Sequence, residues 1–172
     1  MSRLKPEVGV ADHRQGRLEA RVVLVEYGDF ECPYCGAAYP QFKAVQEAMG
    51  ETMCFVFRHF PLSQAHPHAQ RAAEFAEAAA TLGRFWEMHD LLFENQQALD
   101  DRSLAAHATK LGGDRALVES VSRGAFTSRV RQDFASGVRS GVNGTPCLFI
   151  NGQRYEGDWH AAMLIGVLRE WD

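Results

Sequence analysis

The sequence contains little cysteine. Only four of its 172 residues are cysteines, and two of them, Cys32 and Cys35, lie two residues apart. The remaining two are too few for the disulfide framework that holds many small secreted domains together. The sequence also lacks a second Cys-x-x-Cys or a His-x3-5-His pattern, which would complete the four ligands of a structural zinc site. A structural zinc site and a purely structural disulfide are therefore both disfavoured.

Long apolar runs and an excess of positive charge are missing as well. No run of eighteen or more apolar residues occurs, and residues 1–7 lack the apolar centre of a secretory signal. The formal net charge is −4, which argues against nucleic acid or an anionic membrane as the main partner. We therefore predict a cytoplasmic protein without a membrane span, or a periplasmic or secreted one if a leader was removed.

The most informative segment is Glu26–Gly36, where the cysteine pair follows an apolar run and precedes a helix-compatible run. A helix start presents free backbone N–H groups and the positive end of the helix dipole, and both favour a thiolate over a thiol. Since the thiolate is the nucleophile in disulfide exchange, this position predicts a redox centre. Pro33 suits the first helical position, because its missing N–H would be unpaired there. We expect Cys32 to be the more exposed thiol and Cys35 to lie one turn deeper.

Apolar periodicity in the first third of the chain predicts a βαβ unit. Continuous apolar and β-branched residues at 22–27 and 53–60 are typical of buried parallel strands. Between them, residues 33–49 have a helical pattern that stops at Gly50. Residues 1–20 have no clear period, and we predict that His13 lies on the surface.

The rest of the sequence changes from helical signals back to strand signals. From about 63 to 141 every periodic signal is helical. A strand at 147–150, the turn dipeptide Asn151-Gly152 and a returning strand at 153–155 then resume the sheet, followed by a last helix from about 158. The sequence therefore predicts an α/β fold with an inserted helical block.

Four motifs make this pattern specific. They are VEYGDFECPYC at 25–35, FRHFPL at 57–62, HPHA at 66–69 and GVNGTPCLFING at 141–152. With these motifs the chain, from Arg21 onward, resembles the DsbA-like thiol-disulfide oxidoreductases. The resemblance implies a thioredoxin-like fold, with βαβ and ββα halves around a central mixed sheet and an all-helical insertion. We predict a discontinuous thioredoxin-like domain at 1–62 and 142–172, and a helical domain at 63–141.

The resemblance also implies roles for individual residues. Cys32 would be the attacking thiol, Cys35 the resolving thiol, and Thr145–Pro146 a cis peptide facing them. Glu26 stands where such proteins carry a buried acidic residue, and strand alternation places it under the helix start. Burial there would raise its pKa and suit it to carry a proton to or from Cys35. Tyr34 replaces the histidine of DsbA and offers no positive charge, which predicts a less oxidising couple.

The remaining cysteines and three histidines are weaker candidates. In the thioredoxin strand order, Cys54 and Cys147 lie on strands that flank the 22–27 strand on opposite sides, too far apart for a disulfide. We predict that both are buried thiols that act as small hydrophobic residues. His59, His66 and His68 supply no matched metal-ligand set, so we predict loop residues near the rim of the active site.

Together these observations predict an enzyme that exchanges disulfides with protein or peptide thiols. Its cysteine pair would be its redox centre, with no other cofactor and no metal, and a separate redox partner would restore it. Two alternatives stay open. One is a glutaredoxin-like reductase that uses a low-molecular-weight thiol, and the other is a non-enzymatic redox or metal-sensing adaptor. The direction of electron flow is also open.

Overall fold

The computed structural model describes residues 2–171, whose centre is a five-stranded mixed sheet. The strands are β1 His13–Gln15, β2 Val22–Gly28, β3 Met53–His59, β4 Cys147–Ile150 and β5 Gln153–Tyr155. Their spatial order is β1-β3-β2-β4-β5. β2 runs parallel to β3, and the other neighbouring pairs are antiparallel. The central position therefore belongs to β2, the strand that leads into the cysteine pair.

Seven α-helices surround this sheet among the described residues, and a short 3-10 helix, Gly50–Thr52, follows the first of them. The α-helices are α1 Pro33–Met49, α2 Ala69–Ala80, α3 Phe85–Glu94, α4 Asp101–Lys110, α5 Arg115–Ser122, α6 Thr127–Arg139 and α7 Ala161–Arg169. Helices α2 to α6 follow β3 and precede β4, so they form the helical insertion that the sequence predicted. None of the helices in residues 2–171 combines the length and the apolar character needed to cross a membrane. The predicted thioredoxin-like α/β fold is confirmed.

Alternation along β2 decides which side chains lie under the cysteine pair. Val22 and Leu24 pack in the apolar cluster that includes residues of α1 and α7. Val25 and Tyr27 point the other way and pack in a cluster that Phe134 of α6 joins. Because successive strand residues face opposite sides, Glu26 lies on the α1 side of the sheet.

The β4–β5 turn explains the Asn151-Gly152 dipeptide. Both residues have positive φ, 46° and 79°, as the two central residues of a type I′ turn require. The turn directs β5 back along β4, and β4 pairs with β2 over Leu24–Tyr27. The residues just before β4 are thereby placed beside the end of β2, where the cysteine pair begins.

Two sequence-based predictions about histidines were wrong. His13 is in β1 and not on the open surface: its side chain is 15% exposed, and its ring stacks on Phe85 with centroids 3.6 Å apart. His59 is the last residue of β3 and is completely buried, so it is not a loop residue. A three-residue strand is too short to show a period, and the partners that cover both rings come from the distant helical insertion.

Candidate functional site

The two cysteines lie at the junction between β2 and α1. Cys32 directly precedes the helix and Cys35 lies in its first turn, with Pro33 as the first helical residue. Their exposed fractions are 2% and 0%. Cys32 is thus the more exposed of the two thiols, as the sequence predicted, although both are buried. The backbone of Thr145 lies against the Cys32 sulfur. The Sγ–O distance is 3.6 Å.

The surroundings of Cys32 favour its thiolate. Its pKa is lowered to about 5, first because the Cys35 thiol donates a hydrogen bond to it. The hydroxyl of Thr145 and the backbone N–H groups of Tyr34 and Cys35 lower it further, and burial opposes them. The Thr145 hydroxyl is buried and has no other hydrogen-bond partner among the described residues. It is therefore free to donate to the sulfur when Cys32 ionises.

The pKa of Cys35 shifts in the opposite direction to that of Cys32. Burial raises its pKa well above that of an ordinary thiol, and its hydrogen bond to Cys32 and the charge of Glu26 raise it further. At neutral pH one thiol of the pair is therefore ionised while the other keeps its proton. This asymmetry is what an attacking and a resolving thiol require.

Glu26 lies beneath the pair, where alternation along β2 predicted it. It is 2% exposed, and burial, followed by the charge of Cys32, raises its pKa to about 8. Its Oε1 atom has no hydrogen-bond partner among residues 2–171. A carboxyl group with this pKa can gain or lose a proton near neutrality.

The Thr145–Pro146 bond is cis and directly precedes β4. A groove of about 360 Å³ lies beside this segment, and Asn143, Arg154 and Trp159 help to line it. Tyr34 is 68% exposed. Thr145 joins the groove to the cysteine pair, since it lines the groove and its backbone oxygen contacts the Cys32 sulfur.

Asp29 is a site residue that we did not single out from the sequence. Its Oδ1 atom accepts hydrogen bonds from the backbone N–H groups of Glu31 and Cys32, at 2.8 and 3.2 Å. Its Oδ2 atom accepts from the N–H of Leu62 at 2.9 Å and contacts Nδ1 of His66 at 2.8 Å. An aspartate that can bond the backbone N–H groups two and three residues later is a turn signal that could have identified it.

Gln96 is a second residue that sequence reasoning missed. Its Nε2 atom donates to the carbonyl oxygens of Phe30 and Cys32, each at 2.9 Å. It follows α3, so it ties the helical insertion to the backbone of the cysteine motif. No local pattern marks this glutamine, since its partners lie more than sixty positions earlier in the chain.

The described residues also bring His13, His59 and Glu77 together, with ligand-type atoms within 4.8 Å of one another. Both imidazole Nε2 atoms contact Glu77 Oε1, at 2.6 and 2.7 Å. Ligands of one zinc ion would lie about 3.3 Å apart, given Zn–N distances near 2.0 Å and tetrahedral geometry. Arg129 also lies 4.0 Å from Glu77. We therefore interpret the group as a hydrogen-bonded cluster joining β1, β3 and α2.

Cys54 and Cys147 are buried thiols on β3 and β4. The central strand separates them, since Cys54 pairs with Val23 and Cys147 with Tyr27. Burial raises the pKa of both thiols, so neither has the reactive character of Cys32.

Comparisons with known proteins agree with this geometry. A family model described as thioredoxin matches residues 9–168. BdbD from Bacillus subtilis has a similar structure, with a TM-score of 0.83 and 20% identity, covering 93% of this chain and 92% of that one. Alpha-DsbA1 from Wolbachia pipientis is also similar, with a TM-score of 0.80 and 17% identity, covering 95% of this chain and 92% of that one.

Sequence relatives include much longer proteins. Na(+)/H(+) antiporter NhaA 1 of Mycolicibacterium vanbaalenii is 41% identical over 168 residues, which are 96% of this chain and 27% of that protein. Na(+)/H(+) antiporter NhaA 3 of Salinispora tropica is 44% identical over 156 residues, which are 89% of this chain and 24% of that protein. This chain thus spans about a quarter of the length of these curated relatives. On its family match, the chain belongs to the thioredoxin family, and its fold, with the helical insertion, is similar to those of BdbD and alpha-DsbA1.

Proposed function

We propose that this protein is a thiol-disulfide oxidoreductase that acts on protein or peptide thiols and disulfides. The proposal rests on the geometry of the Cys-Pro-Tyr-Cys motif, in which Cys32 directly precedes α1 and Cys35 lies buried in its first turn. The pKa values of the two thiols shift in opposite directions in this arrangement. The pKa of Cys32 is lowered to about 5, whereas the pKa of Cys35 is raised well above that of an ordinary thiol. A reactive thiolate next to a protonated resolving thiol supports exchange by way of a mixed disulfide.

In the reducing direction, the Cys32 thiolate attacks one sulfur of a partner disulfide. The partner S–S bond breaks, and its other sulfur leaves as a thiolate that takes a proton from water. Cys35 then passes its proton to ionised Glu26 and attacks Cys32 Sγ, which expels the second partner thiolate. The partner is reduced by two electrons and the Cys32–Cys35 disulfide forms, and the same steps in reverse oxidise a partner.

The groove beside Thr145–Pro146 supports a polypeptide as the partner. In our proposal an extended chain lies along this segment, and backbone contacts there hold it while Cys32 reacts. The redox centre is the cysteine pair itself, without a further cofactor or metal, and a separate redox partner restores it. The cytoplasmic location remains a prediction. The antiporter names belong to proteins about four times as long as this chain.

The test is turnover with two classes of substrate. We expect the protein to catalyse insulin reduction with a dithiol, and to act more slowly on a glutathionylated peptide. Cys32→Ser should abolish both activities. Cys35→Ser should accumulate a mixed disulfide with the insulin chain.

Other results would favour the alternatives. Faster turnover of the glutathionylated peptide would indicate a glutaredoxin-like reductase. No turnover of either substrate, with zinc bound to inert cysteines, would indicate an adaptor and would contradict the proposal.

A further inference from the structure

Asp29 joins the cysteine motif to the loop that follows β3. Its side chain is completely buried, and both carboxylate oxygens are used. One oxygen holds the backbone N–H groups of Glu31 and Cys32, and the other holds the N–H of Leu62 and the ring of His66. The ring of His66 is 19% exposed, so it lies at the edge of the site.

This arrangement has an electrostatic cost. The carboxylate that fixes the backbone of Cys32 also places a negative charge near a sulfur that must ionise, and like charges oppose ionisation. Glu31 adds a second carboxylate on the same side, where its Oε2 atom accepts from the N–H of His68. Without a compensating cation, these two groups would raise the pKa of Cys32.

His66 is placed to supply that cation. The charged or ionisable groups that act on it are Asp29, Cys32 and Glu31. Partial burial lowers the pKa of His66, but the hydrogen bond and charge of Asp29, followed by the charges of Cys32 and Glu31, outweigh it and raise the pKa overall. The imidazolium is therefore favoured next to the thiolate.

We propose that His66, held on Asp29, is a positioning residue that sets the charge beside Cys32 and so makes the redox couple sensitive to pH. This inference rests on the proposed function, since it names a regulator of the same site. When His66 is protonated, it stabilises the thiolate and therefore the reduced protein, which makes the couple more oxidising. As pH rises through the pKa of His66 this stabilisation is lost.

Coupling of this kind is reciprocal. If the imidazolium stabilises the thiolate, then the thiolate must raise the pKa of His66. The Cys32 charge exists only in the reduced protein, so the pKa of His66 should be higher in the reduced than in the oxidised state. A histidine that only supports the loop would titrate alike in both states.

The first measurement is an NMR titration of the histidine rings in both redox states. His66→Asn assigns the His66 resonance by its disappearance. We expect the pKa of His66 to be about half a unit to one unit higher in the reduced protein. Equal values in the two states would overturn the proposal.

The second measurement compares variants that separate charge from geometry. His66→Asn keeps an N–H donor at the position of Nδ1 but removes the charge, and His66→Ala removes both. We expect each to raise the pKa of Cys32 and to shift the equilibrium constant with glutathione three- to tenfold towards the oxidised protein. That shift corresponds to a potential more negative by about 15–30 mV.

His68→Asn is the matched control. It changes an exposed histidine two positions along the same loop and should leave both values unchanged. If His66→Asn also leaves the pKa of Cys32 and the equilibrium constant with glutathione unchanged, the proposal is wrong. If only His66→Ala alters these two values, the role of His66 is structural and the proposal is likewise wrong. A wild-type protein that turns over no substrate but shows the coupled titration would refute the proposed function and leave this inference intact.

Discussion

At the scale of single residues, the chemistry depends on groups from three parts of the chain that pack around the start of α1. The Cys32 sulfur receives hydrogen bonds from Cys35, Thr145 and the backbone, whereas Cys35 and Glu26 lose solvent and gain no comparable donors. Hydrogen bonding to the charged form lowers the pKa of an acid and burial raises it. The same small volume therefore holds one strongly acidic thiol and two weakly acidic groups.

Selective alkylation tests this difference in acidity. In the reduced native protein at pH 6, iodoacetamide should label Cys32 well before Cys35, Cys54 or Cys147, because the pKa of Cys32 is about 5 and those of the others are raised. Peptide mass spectrometry after short exposure gives the order. Labelling in denaturant is the control and should affect all four cysteines. Equal labelling of the native thiols would contradict the assignment.

Glu26→Gln tests the buried carboxyl group through stability. The pKa of Glu26 is about 8 in the folded protein, against 4.5 for a glutamate in an unfolded chain, so the folded state binds more protons between these values. The free energy of unfolding should therefore fall as pH rises from 4.5 to 8. The side chain at position 26 cannot ionise in the glutamine variant. We therefore expect its free energy of unfolding to exceed that of the wild type by roughly 2–4 kcal/mol at pH 8, with little difference at pH 5.

Urea unfolding of the oxidised protein is the suitable measurement. The Cys32 charge, the smaller cause of the raised pKa of Glu26, is then absent, whereas burial, the larger cause, remains. Glu47→Gln alters an exposed carboxylate on α1. It should leave the difference in the free energy of unfolding between pH 5 and pH 8 as it is in the wild type. A Glu26→Gln variant whose stability follows the wild type across this interval would show that the carboxyl group titrates normally.

At the scale of elements, α6 packs closely on the sheet through Gly137. A Cβ atom at this position would lie 2.6 Å from the Phe60 ring and 3.1 Å from the Tyr27 ring. Neither ring has room to move, since Phe60 stacks on Phe134 with centroids 4.3 Å apart, and the Tyr27 hydroxyl bonds Ser136 at 2.7 Å. Glycine therefore sets how near the insertion lies to β2 and β3.

We expect Gly137→Ala to lower the free energy of unfolding by about 1–3 kcal/mol, because the added methyl group overpacks this contact. Gly166→Ala in α7 is the matched control. A Cβ atom there meets nothing within 4 Å, so the better helix propensity of alanine should stabilise the protein by up to about 1 kcal/mol. Denaturant unfolding measures both variants, and a stabilised Gly137→Ala protein would refute the close contact.

At the scale of the whole molecule, the measurable property is the reduction potential. The pKa of Cys32, about 5, lies between those of the corresponding cysteines in thioredoxin, about 7, and DsbA, about 3.5. Potentials for those proteins are about −270 and −120 mV. A thiolate of intermediate stability predicts a couple near roughly −200 mV, less oxidising than DsbA.

Titration against glutathione tests this value together with Tyr34→His. A histidine at position 34 can carry a positive charge and should raise the potential, but the side chain is 68% exposed and solvent will screen it. We expect a rise of about 10–30 mV, at about 30 mV for each pKa unit. A wild-type potential at or above that of DsbA, or a variant that is more reducing, would contradict the argument.

The pH dependence of the potential gives a further check. Above pH 5 the reduced protein keeps one proton, on Cys35, so two electrons are accompanied by one proton. In the His66→Asn variant, which has no imidazole at position 66 to take up a proton on reduction, the potential should then fall by about 30 mV per pH unit between pH 5.5 and 7. The fall would be about 59 mV per pH unit if both thiols were protonated. A slope near 59 mV in this interval would show that Cys32 is an ordinary thiol.

The order of the main elements and the place of the cysteine pair follow from local patterns in the sequence. Strands at 22–27, 53–60 and 147–150, the helix at 33–49 and the Asn151-Gly152 turn all depend on local periods and on turn dipeptides, which are properties of neighbouring residues. Glu26 could also be placed, since alternation along one strand fixes its side. These predictions needed no knowledge of distant contacts.

The tertiary structure alone decided how the site is closed and charged. Asp29 bonds a loop 33 positions away, and Gln96 bonds the carbonyl of Cys32 across 64 positions. His13 and His59 are buried by residues of the insertion, and Cys32 is covered by the Thr145 backbone 113 positions later. A local pattern carries no information about such partners, because burial and hydrogen bonding at these residues arise only when the halves of the sheet and the helical insertion pack together.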